Sequence, residues 1–287
     1  MSEGQALLQA EGVVHRYPGP TGPVTALDGL SLSVARGEWV AVAGPNGSGK
    51  STLARVLGGL LPYQDGAIWL EGERLTPEAH HLRSRVGLVF QDPENQVVGS
   101  TVEEDVAFGP ENLGLPTEEI ARRVDAALNA VGLVGLRHRA TRALSGGQRQ
   151  LLAIAGALAL EPDLLILDEP TAMLDASGQD AVLSAVLHAN RERGVAVLWM
   201  THRMEEALAA DRLVILQHGR VAAQGPPCAV LAGRLGPLEC WHLSPPAVTR
   251  VVKALRERGI PVPEEAVTIE AVAGAVLQAW RARGVGR

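Results

Sequence analysis

The chain has 287 residues, 46% hydrophobic and 20% charged, enough for one large globular domain or two smaller ones with an ample core. A formal net charge of −6 argues against a role resting on general affinity for nucleic acid. No apolar run approaches the roughly 20 residues that cross a bilayer, and Met1-Ser2-Glu3-Gly4-Gln5 lacks a basic, apolar leader pattern, so a cytosolic protein is expected.

Aromatics make up only 3%, which predicts an aliphatic, alanine-rich core. Cys228 and Cys240 have no metal-type spacing and read as reduced thiols. Arginine greatly outnumbers lysine, and the only lysines are Lys50 and Lys253.

Two stretches within residues 5–36 suit strands. The clearer, Leu30-Ser31-Leu32-Ser33-Val34, alternates strictly and marks a half-buried antiparallel strand. Between them Tyr17-Pro18-Gly19-Pro20-Thr21-Gly22-Pro23 reads as a loop. Tyr17 suits stacking on a nucleotide base or an ordinary surface position, and its setting alone favours the latter. The apolar run Trp39–Ala43 leads into Gly44-Pro45-Asn46-Gly47-Ser48-Gly49-Lys50-Ser51-Thr52, and Leu53–Leu57 follows as a helix. Strand, glycine-rich loop and helix are the context that makes G-x-x-x-x-G-K-[ST] a phosphate site. Glycines let successive N–H groups turn inward on an anion, and the helix start adds unpaired N–H groups. Lys50 is placed to reach the β- and γ-phosphates and Ser51 to ligate Mg²⁺. A compact ammonium fits between phosphate oxygens where a planar guanidinium would not.

Ala67–Leu70 reads as a strand and Val86–Phe90 as a buried one, ended by Gln91-Asp92-Pro93. Residues 92–160 are expected to form a helical insertion. Thr117 is expected to cap one helix with the stripe Ile120, Val124, Leu128 and Val131. Leu144-Ser145-Gly146-Gly147-Gln148 sits before the apolar helix Leu151–Leu160 and reads as a second anion-binding helix start. Leu164–Leu167 runs into Asp168 and Glu169, a buried parallel strand ending at an active edge. Asp168 suits the Mg²⁺ shell and Glu169 suits a general base on water attacking the γ-phosphate. Val195–Met200 ends at Thr201-His202; a satisfied strand-end histidine is the commoner case, yet its position on the same edge admits a γ-phosphate contact.

Leu213–Leu216 and Arg220–Ala223 suggest a hairpin turning at His218-Gly219. Pro226-Pro227 marks a boundary. Beyond it a helix is expected from Ser244-Pro245, with Val248, Val251, Val252 and Leu255 on one face and Gly259 at its end. A second, from Thr268, places Ile269, Val272, Val276 and Trp280 on one side. The two make an appended interaction or dimerisation module.

Together these residues resemble the ATPase subunit of ATP-binding cassette (ABC) transporters over about residues 6–225. Gly44–Thr52 is similar to the Walker A loop, Gln91 to the Q-loop glutamine, Leu144–Gln148 to the signature motif and Leu164–Asp168 to Walker B. Glu169 corresponds to the catalytic glutamate, Ala172–Asp175 to the D-loop, His202 to the switch histidine and Tyr17 to the adenine-stacking aromatic. The implied fold is α/β, a P-loop ABC-type nucleotide-binding domain with an antiparallel β subdomain, a helical subdomain at about 92–160 and a small α-rich module at 226–287. The resemblance implies ATP and Mg²⁺ as cofactors, with Ser51, Gln91 and Asp168 around the metal. It assigns catalysis to Lys50, Gln91, Glu169 and His202. Tyr17, Gly44, Asn46, Gly47, Ser48, Gly49, Lys50, Ser51, Thr52 and Asp175 would hold nucleotide. It also implies a head-to-tail pair in which Ser145, Gly147 and Gln148 contact the partner's ATP.

Gln91–Gln96 with Thr101–Gly114, the variant Thr171–Asp175 and the module after Pro245-Pro246 narrow the resemblance to energy-coupling factor (ECF) ATPases. These serve importers of vitamins and of cobalt or nickel. The expected partners are a second ATPase subunit, an integral coupling subunit docking near Gln91, and a small substrate-binding membrane protein, at the cytoplasmic face of the membrane and without nucleic acid. The alternatives are another transporter class or a soluble cassette ATPase of DNA repair or translation. The second usually carries a coiled-coil insertion or two cassettes and a basic surface, absent here. A plain P-loop kinase or GTPase would leave Ser145–Gln148 and His202 without a job.

Overall fold

The computed structural model describes residues 6–20, 22–76, 79–232, 238–263, 266 and 268–282. Strands β1 (Ala6–Tyr17) and β2 (Val24–Ala35) open the chain, followed by β3 (Trp39–Ala43), α1 (Lys50–Leu57), β4 (Asp65–Leu70), β5 (Glu73–Arg74), α2 (His80–Arg83) and β6 (Val86–Val89). Three helices intervene, α3 (Val102–Asn112), α4 (Thr117–Ala130) and α5 (Gly146–Ala159), before β7 (Leu164–Asp168). Then come α6 (Ala176–Arg193), β8 (Ala196–Thr201), β9 (Arg212–Gln217), β10 (Arg220–Gly225), α7 (Pro227–Leu231), α8 (Ala247–Glu257) and α9 (Ile269–Ala282).

One sheet is antiparallel, in the order β2-β1-β4-β5; the other runs β10-β9-β3-β8-β7-β6 and is parallel except for β10. Every residue of β3, β7 and β8 is buried, which explains sequences that stay apolar until Asp168 and Thr201 at the ends of β7 and β8. Their alternation is real but serves two cores rather than core and solvent. Trp39 and Ala41 of β3, Leu165 and Leu167 of β7, and Val197 and Trp199 of β8 face the cluster that includes α3 to α6. Val40 and Val42, Leu164 and Ile166, and Leu198 and Met200 face the cluster of the antiparallel sheet and α1. Period-2 geometry therefore fixes the sheet between two layers.

The parallel register decides where chemistry can occur. Ala43 pairs with Thr201 and Asp168 with Met200. Gly44, Glu169 and His202, each the next residue along, consequently leave the sheet side by side at its C-terminal edge, where open α/β sheets bind ligands.

Several local expectations shift. Tyr17 is the last residue of β1 rather than part of the loop. Thr117 is the first helical residue of α4 and makes no capping bond; Pro116, in extended geometry, flanks it. Likewise α8 starts at Ala247 after Pro246, not at Ser244. In both cases proline's fixed φ sets the entry and the hydroxyl is left out of the cap. The signature helix α5 begins at Gly146 rather than Leu151, so the motif forms its first turn.

The hydrophobic clusters do not part at Pro226. Val230, Leu231, Leu238, Trp241 and Leu243 join the main core, and a separate cluster forms only around Val252, Val262, Ala266 and Val272. Of the proposed apolar faces, Val252 and Val272 are buried, whereas Val251, Ile269 and Trp280 are exposed.

Candidate functional site

The glycine-rich loop is shaped by close backbone approaches. A Cβ on Gly44 would lie 2.2 Å from the Leu216 carbonyl oxygen and 2.6 Å from Ser48 Oγ. Gly49 has φ of 108°, and a Cβ there would meet the Ala26 carbonyl oxygen at 2.6 Å. Only glycine meets both demands. The β9–β10 turn, with His218 at φ 50° and Gly219 at φ 72°, has the consecutive left-handed residues of a tight hairpin; Gly219 N–H donates to the Ser48 carbonyl at 2.9 Å and so buttresses the loop. Asn46 and Gly47 stand exposed at its tip. Gly49 precedes the first residue of α1 without a side-chain cap, leaving the first N–H groups of the helix for a ligand. Ser48 is buried, and its Oγ has no hydrogen-bond partner among the described residues.

Lys50 is only 5% exposed. Its Nζ donates to the carbonyls of Gly44 at 2.8 Å and Pro45 at 3.3 Å, and lies 3.5 Å from Glu169 Oε1. Ser51 Oγ donates to Asp168 Oδ1 at 3.1 Å. Burial pushes the Asp168 carboxyl above its ordinary value, only partly offset by the Ser51 hydroxyl. A hydroxyl and a desolvated carboxylate side by side form an oxygen donor pair suited to a hard cation shared with phosphates. Among the described residues no cluster of three or more His, Cys, Asp or Glu could hold a metal by itself.

Glu169 follows Asp168 with φ of 49°, a left-handed conformation costing a non-glycine residue about 1–2 kcal/mol. Its N–H donates to the Met200 carbonyl at 3.0 Å. The side chain bridges two groups, Lys50 at Oε1 and His202 Nδ1 at 3.1 Å from Oε2. His202 is half-exposed. Lys50, Ser51, Asp168, Glu169 and His202 thus form one contiguous chain of polar groups. Beside it, the Tyr17 hydroxyl lies 3.3 Å from Thr52 Oγ1, and the His15 ring packs edge-on to the tyrosine at 4.5 Å between centroids.

The remaining predicted residues lie elsewhere. Ser145 Oγ accepts from Gln148 N–H at 3.3 Å and Gln148 Oε1 accepts from Ser145 N–H at 3.0 Å, a capping box that commits both side chains. Nothing lies within 4 Å of a Cβ built on Gly146, and the nearest atom to one on Gly147 is Gly178 Cα at 3.5 Å. Asp175 caps α6 by accepting from Gly178 N–H at 2.8 Å. The signature turn and the D-loop are therefore neighbours in a second group. Gln91 is exposed beyond β6 and makes no hydrogen bond among the described residues.

Sequence reasoning missed several residues that hold this edge. Gln96 Oε1 accepts from Phe90 N–H at 2.7 Å, and Gln150 Nε2 donates to the Phe90 carbonyl at 3.3 Å, so the backbone before Gln91 is gripped from two sides. Asp105 accepts from Val98 and Gly99 N–H at 2.7 and 2.8 Å. Arg149, one residue past the capping box, pairs with Glu94 at 2.9 Å and links the signature helix to the segment after Gln91. Each acts across a turn or between elements, where periodicity carries no signal; the Thr101-x-x-Glu104 capping box before Asp105 was the one local clue.

The chain is similar to known proteins over most of its length. The family model described as ABC transporter matches residues 27–172. The chain is 47% identical to the energy-coupling factor transporter ATP-binding protein EcfA1 of Symbiobacterium thermophilum, over 94% of this chain and 96% of that protein. It is 42% identical to the Bacillus subtilis protein of the same name over 98% of both. Among solved structures, cbiO1 from Clostridium perfringens, described as part of the ABC transporter complex cbiONQ, superposes with a TM-score of 0.75 and 35% identity over 88% of this chain and 97% of that one. A dimeric ATP-binding cassette in a post-hydrolysis state with ADP and Pi superposes with a TM-score of 0.69 and 27% identity over 77% of this chain and 98% of that one.

Proposed function

The chain belongs to the ABC transporter family and, within it, to the energy-coupling factor transporter ATP-binding proteins, and on that premise we propose that it is the ATP-hydrolysing subunit of an ECF-type importer for a vitamin or a cobalt or nickel ion. The observation that carries the proposal is the convergence of Lys50, Ser51, Asp168, Glu169 and His202 at one sheet edge, with Gly147 of the Ser145–Gln148 turn packed against Gly178 in the helix capped by Asp175. One chain holds half of a nucleotide site plus the half that serves its partner.

In this reading the N–H groups at Gly47–Ser51 and the Lys50 ammonium bind the phosphates, and Tyr17 stacks on the base. Ser51 and Asp168, assisted by Gln91, would hold Mg²⁺, which would supply positive charge to the phosphates. Lys50 must leave Glu169 to bind phosphate, which frees that carboxylate. A Glu169 oxygen then takes a proton from the attacking water as the new O–P bond forms and the bond to ADP breaks. His202 keeps Glu169 in place through Nδ1 and presents its other ring edge to the γ-phosphate. Glycines 146 and 147, with the α5 N-terminus, bind the partner's γ-phosphate, so ATP bridges two subunits. Its cleavage removes the differential affinity for the closed pair.

The partners are a second ATPase subunit, joined in part through the C-terminal helices, an integral coupling subunit seated near Gln91 and α3, and a membrane protein that selects the cargo. No helix among the described residues is long and apolar enough to cross a membrane, and the reading places this chain peripherally on the cytoplasmic face. Affinity purification of the full chain from its native membrane tests this. Expected is co-elution of a second cassette ATPase and at least one integral membrane protein, with ATP hydrolysis per subunit rising with concentration in the isolated chain. Recovery of a lone soluble ATPase with concentration-independent activity would contradict it.

A further inference from the structure

Glu206 lies in the short 3-10 turn Glu206–Ala209 that follows the His202 segment, and it is only 9% exposed. Its carboxylate is the meeting point of three segments. Oε1 accepts from the Thr171 hydroxyl, two residues past Glu169. Oε2 accepts from the Trp199 indole N–H at 3.0 Å and the Thr201 hydroxyl at 2.7 Å, the latter adjoining His202. Arg203 Nε stands 3.5 Å from Oε1. Arg203 N–H also donates to Thr201 Oγ1 at 2.9 Å, so the residues on both sides of His202 are tied to this one group.

Packing does not require a carboxylate here. Trp199 already stacks on Trp39, with centroids 5.7 Å apart, inside an otherwise apolar core. An acidic group in such a place is tolerated only when its oxygens are fully bonded, and apolar substitutes of similar volume commonly stabilise a fold as well or better. What apolar residues cannot do is fix direction. Glu169 is held in a left-handed conformation with its N–H on the Met200 carbonyl, and its side chain must meet His202 from the neighbouring strand end. Thr171 and Thr201 anchor those two strand ends to a common point.

We propose that Glu206 is a positioning residue for the hydrolytic step, its buried carboxylate binding Thr171, Trp199 and Thr201 so that Glu169 and His202 keep their mutual register. The proposal rests on the assignment of Glu169 as base and His202 as its partner. Glu206 touches no reacting atom; it acts through the two segments it joins. The nucleotide-holding groups Gly44–Thr52 lie outside its hydrogen bonds, so the effect falls on turnover and not on ATP affinity.

The test is steady-state and single-turnover ATP hydrolysis by the full chain in its native complex. Glu206→Gln replaces an acceptor oxygen by a donor facing Trp199, Thr201 or Thr171. The expected result is a kcat lower by about 30- to 100-fold, the scale of an ångström-level misplacement, with KM for ATP within about threefold of the parent. Added to Glu169→Gln, the same change lowers the residual rate by less than about threefold, because the base through which it acts is gone. Thr171→Val is expected to reduce kcat and Thr171→Ser to restore it, which separates the hydrogen bond from side-chain bulk and decides the matter if Glu206→Gln does not fold. An unchanged kcat in Glu206→Gln, a full additive loss in the Glu169→Gln background, or a Thr171→Ser no better than valine would overturn the proposal. Wild-type turnover by Glu169→Gln alone would overturn the assignment of the base, and this proposal with it; an inactive Glu169→Gln beside a fully active Glu206→Gln would overturn only the latter.

Discussion

Replacing Glu169 by glutamine preserves shape while removing the proton acceptor and two charge contacts. The carboxylate faces Lys50 Nζ at 3.5 Å and His202 Nδ1 at 3.1 Å. Stripping a buried ion of its only partner costs about 3–5 kcal/mol, but Lys50 keeps the Gly44 and Pro45 carbonyls at 2.8 and 3.3 Å. The loss of stability is therefore expected near that of one charge-assisted hydrogen bond, about 1.5–3 kcal/mol, seen as a fall of several degrees in the Tm of the nucleotide-free protein. On the chemical step, losing a general base costs about 10²–10⁴ in rate, or about 2.7–5.4 kcal/mol at 1.36 kcal/mol per tenfold. ATP still binds and is no longer consumed, so at about 100 times its Kd it returns about 2.7 kcal/mol and raises Tm again. Phosphate release measured beside thermal melting with and without Mg-ATP reads both quantities. A kcat within tenfold of the parent, or a Tm indifferent to ATP, would refute the reasoning.

The Asp168 carboxyl is pushed up chiefly by burial. With the folded pKa above the unfolded one, its stabilising contribution is present below the ordinary aspartate range and is lost as pH rises through the folded value. Asp168→Asn should accordingly raise the Tm of the nucleotide-free protein at neutral pH, with the gain vanishing in acid, while Mg²⁺-dependent hydrolysis falls at least about tenfold; melting curves across pH would expose the opposite sign if the burial argument were wrong. Gly49→Ala meets φ of 108° and the Ala26 carbonyl at 2.6 Å, whereas Gly47→Ala meets φ of 78° with nothing within 4 Å. The first should cost about 2 kcal/mol or more and abolish tight ATP binding, the second about 1 kcal/mol; denaturant unfolding and nucleotide titration of both would contradict this if the two behaved alike.

The legible parts of the sequence were those where a function needs particular atoms at consecutive positions. Gly44–Thr52 demands backbone freedom, unpaired N–H groups and one ammonium within nine residues, and Ser145–Gln148 demands a capped helix start with small residues. Strands β3, β7 and β8 were legible because burial on both faces keeps them apolar up to Asp168 and Thr201 at the C-terminal ends of β7 and β8. Helix starts were less so: Thr117 and Ser244 are good caps in isolation, but Pro116 and Pro246 set the geometry of the entry. The boundary expected at Pro226 was drawn from composition, and α7 packs against β9 and β10 regardless. His15 behind Tyr17, Gln150 on Phe90 and Glu206 beneath Thr171 gave no local sign, because each is defined by what it meets from another element.

Sequence by itself determined where the glycine-rich loop precedes a helix, which strand ends carried acids and a histidine, and the family these resemble. Tertiary structure decided that they share one site. Ser51 and Asp168 are 117 residues apart in the chain and 3.1 Å apart in space, because the strand order β3-β8-β7 sets their C-terminal ends next to one another. It also set Gly147 against Gly178, in the first turn of the helix that Asp175 caps. A hydrogen bond is local in space and indifferent to separation along the chain, so the motifs could be read from residues but the contacts that join them could not.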